Sequence, residues 1–83
     1  MKLYLISQKI NRGYDTYDSA VVAAPNANAA ALIHPNTDHE KYLLAGLEDG
    51  ADWVPVQYVD VKYLGIAEDD IQEGVICASF NAG

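Results

Sequence analysis

The densest group of side chains able to do chemistry lies in GYDTYDSAVVAA, Gly13 to Ala24. There Tyr14, Asp15, Tyr17 and Asp18 place two phenols and two carboxylates within five residues. A pair of carboxylates can run general acid and base chemistry, provided both reach one reacting atom. Asp15 and Asp18 are three apart, a spacing that shares a face on a helix but splits across the two faces of a strand. Gly13 before them and the β-branched run after Ser19 favour the extended chain, so the paired-acid reading fails on geometry. What remains is a hairpin edge with packed tyrosines, or a surface on which Tyr14 and Tyr17 anchor a partner.

Other reactive types are scattered. His34, His39 and Cys77 form no CxxC, HxxxH or HExxH pair, so no zinc site is read from them. Cys77 is the only cysteine, which rules out an internal disulfide and fits a reducing compartment. On a strand it reads as a small buried hydrophobe. Glu68-Asp69-Asp70-Ile71-Gln72-Glu73-Gly74 and Glu48-Asp49-Gly50-Ala51-Asp52 lack the alternating oxygen ligands and mid-loop glycine of a calcium loop. The expectation is therefore a chain with no catalytic residue, no cofactor and no metal, and not an enzyme.

Charge says more than motifs do. Twelve acidic residues against five basic ones give a net charge of −7 and a pI near 4.3. Direct binding to nucleic acid or to anionic lipid is disfavoured, because both would be repelled. A charged partner is expected to be a protein with a basic surface. If the fold gathers Glu48, Asp49, Asp52, Glu68, Asp69, Asp70 and Glu73 with Asp15, Asp18 or Asp60, a row of carboxylates would imitate duplex phosphates and occupy the Lys and Arg that hold them. Scattered acids that merely keep the surface solvated are the alternative.

The elements that must position these groups are read from periodicity. Eighty-three residues make one domain, residues 1–83, with a thin core. Lys2 to Gln8 alternates as a strand apolar on both sides, which places it centrally in a sheet. Asn11-Arg12-Gly13 reads as a turn, with Gly13 available for positive φ. A second strand begins within Tyr14 to Ser19 and runs through Ala23, pairing with the first as a hairpin. Asn26 or Asn28 caps a short helix over Ala29 to Ile33, which Pro35 ends. Thr37 and Glu40 have the spacing of a capping box for a second helix reaching about Leu47. Trp53 reads as core.

Val54 to Ala67 returns to period two, with Val59, Val61 and Tyr63 on one face and Tyr58, Asp60 and Lys62 on the other. Glu68 to Gly74 reads as an acidic turn. Val75 to Phe80 makes a last strand with Ile76, Ala78 and Phe80 on one face and Val75, Cys77 and Ser79 on the other. The expected fold is α+β, in the order ββ-α(α)-ββ: an antiparallel or mixed four-stranded sheet with one or two short helices on one face. No apolar run approaches a membrane span, and the N-terminal MKLYLISQK lacks the long apolar region of a signal peptide.

MKLYLISQ, GYDTYDSAVVAAP, VKYLGIA and GVICASFNAG together resemble a group of small proteins encoded by bacteriophages and prophages. The resemblance covers both ends and most of the expected sheet, and it carries no assigned activity. It implies the cytoplasm of an infected bacterium. In size, charge and context the chain is similar to anti-CRISPR proteins. That implies an inhibitor of a host defence complex, with a Cas effector subunit as partner and a monomer or weak dimer as the state in solution. The alternative is a structural or accessory phage protein that self-associates through a strand edge.

Overall fold

Alternation in Lys2–Ser7 produces β1 as expected, and it pairs antiparallel with β2, Thr16–Ala24. The computed structural model describes residues 1–13, 15–35 and 53–81. Two further strands follow, β3 over Asp60–Ile66 and β4 over Gly74–Asn81, and the sheet order is β3-β1-β2-β4 with every pairing antiparallel. The described elements thus make an α+β arrangement of one four-stranded sheet, one short helix and one 3-10 turn. The second helix expected from Thr37 to Leu47 lies outside the described residues.

The helix α1 spans Ala27–Ala31, two residues earlier than expected. Asn26 sets the start: its side-chain oxygen accepts from the Ala29 N–H at 2.8 Å, satisfying one of the orphan donors of a first turn. The end comes before Pro35 takes effect. There the chain tightens into i→i+3 bonds, Leu32 N–H to Ala29 O at 3.2 Å and Ile33 N–H to Ala30 O at 3.1 Å. Five residues are too few to be stable alone, so α1 is held by its contact with the sheet, where Ala30 is fully buried.

One sheet face carries that contact. Tyr4 lies opposite Val22 and Ile6 opposite Ala20, and directly opposed residues share a face. Together with Ala24, Ala30 and Trp53 they form the core, with Ile33, Val59, Val61 and Val75 packed around it. Trp53 is 2% exposed, as its size in a small core demands. Small residues at Ala20, Ala24 and Ala30 let the helix approach the sheet closely.

Three bulges reset the faces. Leu64 is the extra residue in β3 against β1, Asp18 in β2 against β4, and Ile76 in β4 against β2. A bulge shifts the alternation by one, so Val75 pairs with Val22 and joins the face of Ala78 and Phe80. This corrects the expected division of the last strand. Likewise Asp18 turns Tyr17 onto the covered face with Ala20. Val54 to Val59 is not strand either: after Pro55 the chain makes a 3-10 turn over Val56–Tyr58, and the ladder begins only at Asp60. Proline supplies no N–H to a ladder and presets φ for a turn.

Candidate binding surface

The turn that opens β2 is built from backbone capture rather than from acid chemistry. Gln8, 5% exposed, uses both ends of its amide. Its oxygen accepts from the N–H groups of Ile10 at 2.8 Å and Asn11 at 2.7 Å, and its nitrogen donates to the carbonyls of Tyr17, at 2.8 Å, and Asn11. Asn11 in turn donates through its side chain to the Trp53 carbonyl at 2.9 Å. Buried Thr16 donates to the Gly13 carbonyl at 2.7 Å, and the Asn81 amide donates to the same carbonyl at 3.0 Å. The 8–15 connection is thereby tied to β2, to β4 and to the Trp53 segment. Among the described residues no buried side-chain nitrogen or oxygen lacks a partner.

Among the described residues of that turn, Asp15 is left-handed, with φ of 60°, and Gly13 is not. Asp tolerates this region better than most residues because its short polar side chain can bond locally. The Asp15 N–H donates to the Asn81 carbonyl. Asp15 therefore precedes the strand and Asp18 occupies the bulge, and both are exposed. Their separation comes from a turn and a bulge, where alternation across a regular strand was expected. Tyr17 is half-buried, its ring 4.7 Å from Phe80 and 6.2 Å from His34, so much of its surface is spent on internal packing. Tyr14 lies outside the described residues.

His34 is 2% exposed, its ring 6.2 Å from that of Tyr17 and 6.4 Å from that of Trp53. His39 lies outside the described residues. Cys77 is exposed, against the expectation of a buried hydrophobe, because β4 is an edge strand and Cys77 pairs with Val21 on the face that α1 does not cover. Among the described residues no group of three or more His, Cys, Asp or Glu is placed to hold a metal ion. No helix among them is long and apolar enough to cross a membrane.

The acidic residues fall into separate groups. Asp15, Asp18 and Asp60 stand at the end of the sheet where β1 finishes, with Asp60 opposite Ser7 and Asp18 beside Ser19, which is itself opposite Ser7. Glu68, Asp69, Asp70 and Glu73 stand at the other end, in the segment joining β3 to β4. Eight residues of strand at ~3.3 Å each put about 25 Å between the ends, so these seven carboxylates do not form one row. Glu48, Asp49 and Asp52 lie outside the described residues.

The second group has a definite support. Because β3 and β4 are the two outer strands, residues 67–73 must cross the whole end of the sheet, about 14 Å for three strand spacings. The crossing is pinned at its start by Ala67, buried and donating its N–H to the Met1 carbonyl at 3.0 Å, and by a turn in which Ile71 N–H donates to Glu68 O at 3.0 Å. Glu68, Asp69, Asp70 and Glu73 all remain exposed. Beside this loop Met1, Lys2, Pro25 and Ile66 line an open hollow of about 410 Å³. Ile66 is 79% exposed there. Sequence reasoning missed the hollow, since Met1, Pro25 and Ile66 meet only because β1 pairs with β2 on one side, Lys2 opposite Ala24, and with the distant β3 on the other, Lys2 opposite Ile66. The one local signal was an isoleucine at the end of an alternating strand, two residues before the acidic run begins at Glu68.

Comparison with protein-family models, with curated proteins and with solved structures found no match to this chain.

Proposed function

We propose that this chain is a non-enzymatic binding protein that docks on a basic protein surface through the 67–73 crossing loop and the hollow beside it. The observation that carries the reading is the juxtaposition of four exposed carboxylates with exposed apolar side chains, Met1 and Ile66, at one end of the sheet. Lys and Arg side chains are recognised by such a surface twice over: the aliphatic stem lies on apolar groups while the charged head meets carboxylates. Lys2 offsets one of the four negative charges and leaves the patch acidic. The resemblance to phage-encoded proteins supplies the context, and similarity in size and charge to anti-CRISPR proteins supplies the partner. The chain acts as an inhibitor of a host defence complex, an anti-CRISPR protein on a Cas effector subunit, at basic residues that otherwise hold nucleic-acid phosphates. The reading rests on the loop group alone and needs no row of carboxylates along the whole molecule.

The test is the quadruple reversal Glu68→Lys, Asp69→Lys, Asp70→Lys and Glu73→Lys, compared with the parent chain for blocking DNA binding by purified Cas effectors. The parent is expected to block, less so as salt rises, because rim charges act through screened attraction. The reversed chain is expected to be inert at every salt concentration. Blocking that survives the reversal, or a parent chain that blocks no effector, would remove the reading.

A further inference from the structure

Among the described strands β4 alone has no charged residue: GVICASFN carries neither charge nor proline, and five of its eight residues are exposed with none buried. Such an edge is what folded proteins ordinarily blunt with charge, proline or a covering element. The opposite edge, β3, is protected in that way by Asp60 and Lys62. The bulge at Ile76 distorts only the first part of β4, and Cys77 to Asn81 runs without an extra residue of its own.

We propose that β4 is an assembly edge, and that two copies of this chain pair their β4 strands antiparallel about a two-fold axis at Ser79, extending two four-stranded sheets into one continuous sheet. Two-fold pairing of identical edges is necessarily antiparallel and self-complementary. Centred on Ser79, it sets each Phe80, 45% exposed, opposite the other copy's Ala78 on the same face. The small alanine leaves room for the ring, so this register brings the two edges together without a clash between large side chains.

Charge selects the same orientation. Each copy is strongly negative, so a viable contact must keep the acidic loops apart. Antiparallel pairing at Ser79 holds the two Glu73 positions about 40 Å apart, twelve residues of strand, several Debye lengths at physiological salt, and the two Asp18 positions, each one strand in from the axis, about 14 Å apart, still beyond one Debye length. A parallel arrangement would set the loops side by side. The edge is distinct from the hollow of the proposed docking surface, and the assembly leaves both hollows open.

The experiment uses the whole chain in sedimentation velocity up to about 0.5 mM, the range in which a weak dimer is populated. It is joined to spin labelling at Cys77, which is the only cysteine and needs no substitution. A concentration-dependent dimer is expected. In it the two labelled positions lie four residues apart along neighbouring strands, about 14 Å, close enough for dipolar broadening of the continuous-wave spectrum. Ser79→Lys puts two like charges face to face at the axis, on an exposed site of the uncovered face, and should weaken dimerisation by up to about fivefold. A chain that stays monomeric at the highest concentration overturns the proposal. So does a dimer without broadening, which would use another surface, and so does a dimer that Ser79→Lys leaves intact.

Discussion

Replacing Gln8 with Met keeps the length and most of the volume of a nearly buried side chain while deleting four hydrogen bonds, two accepted from Ile10 and Asn11 and two donated to Asn11 and Tyr17. Each such bond contributes about 1 kcal/mol net, and stranded partners cost more when water cannot reach them. The Gln8 site is part-buried, so some partners regain water. The four bonds then amount to about 2–4 kcal/mol rather than their full sum. Against a total of about 4–12 kcal/mol for a chain of this length, that is a large share. The midpoint of thermal unfolding should fall by about 10–25 °C.

The assay is urea unfolding followed by the fluorescence of Trp53, the single tryptophan, which sits in the core and whose carbonyl accepts from Asn11. The expected signature is a lower denaturation midpoint at an unchanged slope, since the surface exposed on unfolding is nearly the same. A loss below about 0.5 kcal/mol, within the scatter of ordinary surface substitutions, would refute the claim that Gln8 organises the 8–15 connection. The conservative change Gln8→Glu keeps the acceptor but faces two carbonyls with a second oxygen. It should be destabilising as well, which separates the lost donor from lost packing.

Asn26→Ala removes the cap of α1 and should cost about 1 kcal/mol, measured by the same denaturation; a neutral result would mean that sheet contact alone holds the helix. Asp15→Val forces a β-branched residue into φ of 60° and should cost about 1–2 kcal/mol, whereas Asp15→Gly should be near neutral. Equal effects of the two would deny that the turn's backbone is the constraint. Inhibition by the parent chain should weaken as ionic strength rises from about 0.05 to 0.5 M, read as an increase in the dissociation constant; a flat salt response would argue for a contact made by apolar groups alone.

Much of the local structure was legible. Alternation located β1 and its central place, the β-branched run located β2, and Asn26 was one of two expected caps. Trp53 belonged to the core by size alone. The errors have specific causes. Gly13 is available for positive φ, yet Asp15 takes it, because the bond from Asp15 to Asn81 depends on a strand distant in sequence. Cys77 was expected inside and is exposed, since the apolar residues of β4 do not reveal that it lies outermost, with Cys77 on the face that α1 leaves uncovered. Val75 changed face because Ile76 bulges, and one extra residue inverts every later position of a period-two pattern.

Of the candidate site, the sequence by itself determined the charge, its concentration in Glu68 to Glu73, and the extended nature of the segments on either side. These are local properties, set by side-chain type and a repeat of two residues. Only the tertiary structure decided that β3 and β4 lie at opposite edges, since strand pairing joins residues far apart in the chain and its choice depends on the whole sheet. That choice stretches the acidic segment across the sheet end beside Met1, Pro25 and Ile66. It also moves Asp15, Asp18 and Asp60 to the far end and leaves an uncharged β4 exposed along its outer side.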